Sequence, residues 1–217
     1  MKKLFLCIAL VLAAMATANA QFGVIGGWTS SNTSVDGNWK PDTKSMSLYH
    51  VGVAYKIKMG PIFSAQPELS YQVKGATLKD NFRNLSTRSG YLELGLGLQL
   101  GVDLLVFRPF FLFEPFIGYQ VYGSDDFQVF SYDANSFTEP VRSYLRDAKN
   151  KFEGGFGVGG GLELMNHFQI SVQWFKNIGQ LYSGDKLNAS AIEAAATSDL
   201  KDVKNYSGIK ITLGMFF

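Results

Sequence analysis

The chain has 217 residues, with 20 lysines and arginines against 18 acids, two histidines and one cysteine. A formal charge of +2 argues against nucleic acid as a partner, and a single cysteine excludes a disulfide framework or a cysteine-rich metal site. Hydrophobic residues at 47%, aromatic residues at 14% and 23 glycines, with mean hydropathy near zero, fit neither a disordered chain nor a bundle of spanning helices.

Residues 1–20 read as a secretory signal peptide. Lys2 and Lys3 form its charged start, Leu4 to Met15 its apolar stretch, and Ala18-Asn19-Ala20 its small-residue cleavage site. The apolar stretch is too short to span a membrane, and Cys7 lies early within it, so a lipid-anchored amino terminus is not expected. Cleavage near Ala20 leaves residues 21–217 as one domain without cysteine, its 18 acids matched by 18 basic residues.

Eight strands are predicted along that domain, near 22–29, 47–58, 61–74, 89–104, 109–122, 152–164, 167–178 and 206–217. The fourth is the clearest. Leu92, Leu94, Leu96, Leu98, Leu100, Val102 and Leu104 alternate with Glu93, Gly95, Gly97, Gln99, Gly101 and Asp103. At about 3.3 Å per residue and a tilt near 45°, that run rises roughly 30 Å, about the height of a bilayer's hydrocarbon core. The same period returns in Ile209, Ile211, Leu213, Met215 and Phe217.

Connections alternate long (30–46, 75–88, 123–151, 179–205) and short (59–60, 105–108, 165–166). All long loops then fall on one side. This is the form of an antiparallel up-and-down outer-membrane barrel with short periplasmic turns and four long extracellular loops.

Alternation alone leaves a soluble lipocalin-like barrel open, with the apolar face turned inward. Glycine on the other face (Gly95, Gly97, Gly101, Gly155, Gly157, Gly159, Gly161, Gly214) suits the inside of a narrow barrel better than a solvated outside. Lys210, mid-strand on the polar face, would cost about 2–4 kcal/mol if it pointed at lipid near the midplane. The predicted lipid face accordingly includes Tyr49, Val51 and Val53, Ala65, Tyr71 and Val73, Phe111 and Phe113, and Ile170 and Val172. Trp28, Tyr49, Tyr71, Tyr119 and Phe152 form an aromatic belt at the long-loop end, opposite Phe63, Phe107, Phe168 and Phe217. Pro67 and Pro115 sit inside strands and predict bulges. Short helices are expected after Thr138 and at Ser190-Ala191-Ile192-Glu193.

Chemistry is sparse. Lys56, Glu68, Glu93, Glu114, Glu163 and Lys210 are expected to form an internal ion-pair network, with Glu68 and Lys210 at similar heights, because buried charges persist only when paired. His50 and His167 lie toward opposite ends and cannot share a site. His50, near Ser47, is the one candidate for a lipid-modifying enzyme; no catalytic residue, metal or cofactor is otherwise expected. Lys79, Arg83, Arg88, Arg142, Arg146 and Lys149 are candidate contacts to lipopolysaccharide or a partner protein.

Phe22-Gly23-Val24-Ile25-Gly26-Gly27 with Ser30-Ser31-Asn32, and above all Phe63-Ser64-Ala65-Gln66-Pro67-Glu68-Leu69-Ser70-Tyr71 with Lys74-Gly75-Ala76, resemble the PorT-like, porin-family outer-membrane barrels of Bacteroidota. Tyr91-Leu92-Glu93 and Pro109 through Tyr119 are similar to that family's central hairpin. The resemblance implies an all-β, eight-stranded barrel broadly like OmpX or the OmpA membrane domain, in a Gram-negative outer membrane. It transfers no catalytic or ligand residue. Some PorT-like members assist protein secretion, so an accessory role in an envelope complex stands beside a surface protein whose loops meet lipid, partner or ligand. Phe217 resembles the terminal signal read by the barrel-insertion machinery.

Overall fold

Eight antiparallel strands close on themselves in the computed structural model, which describes residues 20–36, 41–79, 83–129, 149–182 and 202–217. They are β1 (Ala20–Asn32), β2 (Asp42–Met59), β3 (Phe63–Lys79), β4 (Arg83–Gly101), β5 (Phe107–Val129), β6 (Phe152–Leu164), β7 (Phe168–Ile178) and β8 (Ser207–Phe216). Each pairs with its neighbours in sequence, and β8 returns to β1 from Asn32↔Ser207 to Gly23↔Phe216. Closure removes the free edges that an open sheet would leave in lipid.

Side-chain period decides the faces. On β4, Leu92, Leu94, Leu96 and Leu100 are exposed, while Tyr91, Glu93, Gly95, Gly97 and Gln99 are buried. Strand β7 repeats the pattern, with Ile170, Val172 and Trp174 outside and Ser171, Gln173 and Phe175 inside. The leucines do not converge on a central pocket, so the lipocalin-like alternative fails. Ala65 and Val73 keep the outward parity but are covered by neighbours rather than exposed.

The inward glycines make room for large neighbours. A Cβ on Gly161 would meet Phe110 Cζ at 2.6 Å, one on Gly155 would meet Phe116 Cζ at 2.5 Å, and one on Gly95 would meet Glu114 Oε1 at 3.0 Å. In a narrow barrel each bulky lumen side chain needs such a partner.

Two expectations are corrected. The region 75–88 is mostly hairpin rather than long loop, paired from Gly75↔Arg88 to Lys79↔Asn84. Here Ala76, Leu78 and Leu85 point into an apolar cluster, which extends the ladder above the membrane. Neither proline carries a bulge. Pro67 stays in register with Leu96, and Pro115 with Phe156; each lies at a gap in the pairing on its other side, where a missing N–H disrupts no register. The register shifts fall instead between Ser45 and His50 and between Gly90 and Tyr91. The signal peptide (residues 1–19) and both expected helices lie outside the described residues.

Candidate functional site

Inward parity on eight strands brings the charges of the lumen into three tiers. At the turn end, Glu163 receives Lys56 at 3.1 Å, Arg108 at 3.4 Å and Lys58 at 3.7 Å. Arg108 also reaches Asp103 at 3.4 Å and the Ile62 carbonyl at 3.1 Å. Lys56 Nζ lies 4.2 Å from the centre of the Phe216 ring. Gln99 donates to Gln66 at 2.9 Å just above.

The middle tier joins β3, β5 and β8. Lys210 donates to Glu114 at 2.9 Å, not to Glu68, whose Oε1 accepts from Gln66 at 2.7 Å. Glu68 and Lys210 were expected at similar heights; strand stagger sets which groups meet, and it gives Lys210 to Glu114. His50 is buried here with Nδ1 3.0 Å from Thr29 Oγ1 and Nε2 3.0 Å from Thr212 Oγ1. Ser47, the neighbour expected for it, accepts from the Trp28 indole on the outside.

The upper tier is built on Lys74. Its ammonium lies 2.7 Å from Glu93 and 2.9 Å from Glu153, and donates to Asn177 Oδ1 at 3.1 Å. Asn177 in turn donates to Glu153. Rings of Phe116, Phe175 and Tyr91 stand 4.5, 5.1 and 5.5 Å from the same nitrogen. A desolvated cation is thus met by two carboxylates and three π faces.

Above Lys74 the lumen changes character. Leu78, Leu85, Tyr91, Leu181, Tyr182, Val203 and Tyr206 form a buried apolar cluster. Short bridges, Val35↔Val203, Lys149↔Tyr182 and Gln180↔Lys204, draw the described loop segments across it. Lys149 was expected to face outward with Arg142 and Arg146. It instead turns inward, is buried, and donates to Thr87 at 2.6 Å. Its bridge to Tyr182 fixes that direction. Arg142 and Arg146 lie outside the described residues, as does the side chain of Arg83.

On the outside, Tyr49 and Tyr71 rings lie 6.5 Å apart, and Tyr119 meets Phe152 edge-on at 5.1 Å. Tyr71, Leu92, Tyr119 and Phe152 share a row across β3 to β6. Arg88, four residues above Leu92, is exposed and keeps the outward parity. So does Lys176, two residues above Trp174. Lys151 is exposed directly above Phe152, and Lys79 is exposed at the top of β3.

This arrangement is chemically quiet. Both His50 nitrogens are engaged by hydroxyls, the lumen carboxylates face ammonium, guanidinium or amide groups, and no cluster of three metal-ligating side chains occurs among the described residues. Sequence reasoning missed Arg108, which shares its strand parity with Glu114 and was legible from it. It also passed over Lys151 and Lys176, whose exposure beside the outer aromatic residues becomes visible only once the strands are in register.

A family model described as an outer membrane protein beta-barrel domain matches residues 14–182. No curated protein matches. Among solved structures, Ail, the attachment invasion locus protein of Yersinia pestis, is 13% identical over 91% of this chain and 99% of its own, with a TM-score of 0.47. Neisserial surface protein A is 11% identical over 92% and 99%, with a TM-score of 0.42. OprG of Pseudomonas aeruginosa is 13% identical over 92% and 97%, with a TM-score of 0.41.

Proposed function

We propose that this chain, which belongs to the outer membrane protein beta-barrel domain family, is a non-enzymatic surface protein whose rim binds the phosphates of outer-leaflet lipopolysaccharide. Its identity as an outer-membrane β-barrel protein rests on family and fold. The rim reading rests chiefly on one observation. Arg88 and Lys151 are exposed on the loop side of the aromatic row, and Lys176 is exposed just above Trp174 on β7, at the boundary where the headgroup phosphates of a bilayer lie.

Cations at that height gain charge-assisted hydrogen bonds to phosphate, and their stems cover apolar surface below. Among the described residues, lumen side chains in ion pairs and an apolar cluster above them fill the barrel interior, which supports a non-conducting barrel. His50 held between two threonines supports a structural rather than a catalytic role. The finer affiliation with PorT-like proteins of Bacteroidota, and export through a signal peptide cut near Ala20, belong to the same proposal. They rest on residues 63–76 and 2–20.

The test is lipopolysaccharide binding by purified barrel in detergent, followed by calorimetric titration. Neutralising all three groups (Arg88→Gln, Lys151→Gln, Lys176→Gln) is expected to weaken binding by at least about tenfold, since each surface cation contributes about 1 kcal/mol near anionic headgroups. Unchanged affinity in the triple variant would remove the rim from the account.

A further inference from the structure

The short-turn end of the barrel is apolar where water would favour polar turns. Met59, Ile62, Val106 and Met165 are about half to two-thirds exposed there, and Leu105 is fully exposed at the tip between β4 and β5. Charged groups of the same turns point the other way: Lys58 donates to Asn166 at 3.1 Å, and Asp103 pairs with Arg108 at the lumen mouth.

Backbone conformation adds a second, independent observation. Leu105 has φ of 52° and Met165 has φ of 50°, in the left-handed region. Glycine or asparagine adopts that region with little penalty, as Gly60 does in the β2–β3 turn and Asn166 beside Met165, whereas a leucine or methionine there is strained. The tight turn imposes that conformation, but turn geometry alone gives no reason to place an exposed leucine or methionine there in preference to glycine or asparagine.

Height identifies the surroundings. At about 3.3 Å per residue and a tilt near 40°, β4 rises about 2.5 Å per residue, so a 25 Å apolar band beginning at Leu92 ends near Val102. The turn tips follow without interruption, within the headgroup layer. The apolar surface of the turns is therefore continuous with the lipid-facing band rather than a separate patch.

We infer that the three turns are membrane anchors, with Leu105 and Met165 inserted into the phospholipid interface of the periplasmic leaflet. They hold the barrel at a fixed depth from below, and the aromatic row holds it from above.

Single cysteines at Leu105, Met165 and, as an exposed reference on the opposite rim, Ser124 are introduced into a Cys7→Ser chain and labelled with a bimane fluorophore. The proteins are reconstituted in phosphatidylethanolamine–phosphatidylglycerol vesicles. Lipids brominated near the glycerol end of their chains are expected to quench the Leu105→Cys and Met165→Cys labels at least threefold more than the Ser124→Cys label. Aqueous iodide, present on both sides of the vesicle, is expected to quench them at least threefold less. Equal iodide quenching at all three positions would overturn the inference. Protection that appears only at high protein-to-lipid ratio would overturn it too, by pointing to a second copy as the cover.

Discussion

Lys74 shows what a single residue contributes to this lumen. Its side chain is fully buried, and two carboxylates and three rings depend on its charge. Removing one partner of a buried pair typically costs about 3–5 kcal/mol, because the remaining charge is left desolvated. Lys74→Met is expected to lower unfolding stability by about that amount, read from urea titration in bilayers. The triple change Lys74→Met, Glu93→Gln, Glu153→Gln is expected to recover most of the loss. No recovery would mean that Lys74 acts by packing rather than charge. At this scale the sequence was informative about direction and silent about partners. Parity alone turned Glu93 and Lys210 inward. Which carboxylate Lys210 meets depends on stagger between strands distant in sequence, and no local pattern carries that. Lys149 was misread for a related reason: its direction is set by Tyr182, more than thirty residues away.

Among the elements, β6 tests the space argument most sharply, because its glycines face both ways. A Cβ on Gly161 would meet the Ile170 carbonyl oxygen, Phe110 Cζ and, at 3.0 Å, Ser171 Cα. On Gly154 it would meet only the Phe116 carbonyl oxygen at 3.8 Å. Gly161→Ala is therefore expected to destabilise by about 1–3 kcal/mol, as overpacking does, while Gly154→Ala stays within about 0.5 kcal/mol. Equal effects in the same urea titration would refute the idea that inward glycines are vacated for lumen side chains. All eight strands were legible in order, because period two over half a dozen residues has few other sources. Their upper ends were not. Residues 75–88 lack an outer apolar face, since above the membrane the exterior is solvated, and only Ala76, Leu78 and Leu85 mark the continuing inner face. The prolines misled because sequence reports the lost N–H but not whether the facing strand needs it. The register shifts near Ser45–His50 and Gly90–Tyr91 have no residue signature that we can identify.

For the whole molecule, each functional statement depends on which face of the sheet meets lipid. The rim cations have phosphates to bind only if the aromatic row marks a membrane boundary, and the apolar turns have an anchoring role only if the band above them is immersed. The lumen tiers explain stability only if they are sealed from solvent. Fold and orientation were readable from alternation, loop asymmetry and glycine. The apolar cap over the lumen was not, since it is assembled from Leu85, Leu181 and Val203, which come together only on closure. A nitroxide scan across Leu92 to Gly101, one cysteine at a time in a Cys7→Ser chain reconstituted in lipid, measures the orientation directly. Oxygen collisions are expected to peak at Leu92, Leu94, Leu96, Leu98 and Leu100 and to fall at each position between. Flat accessibility, or peaks at Glu93, Gly95, Gly97 and Gln99, would contradict the account.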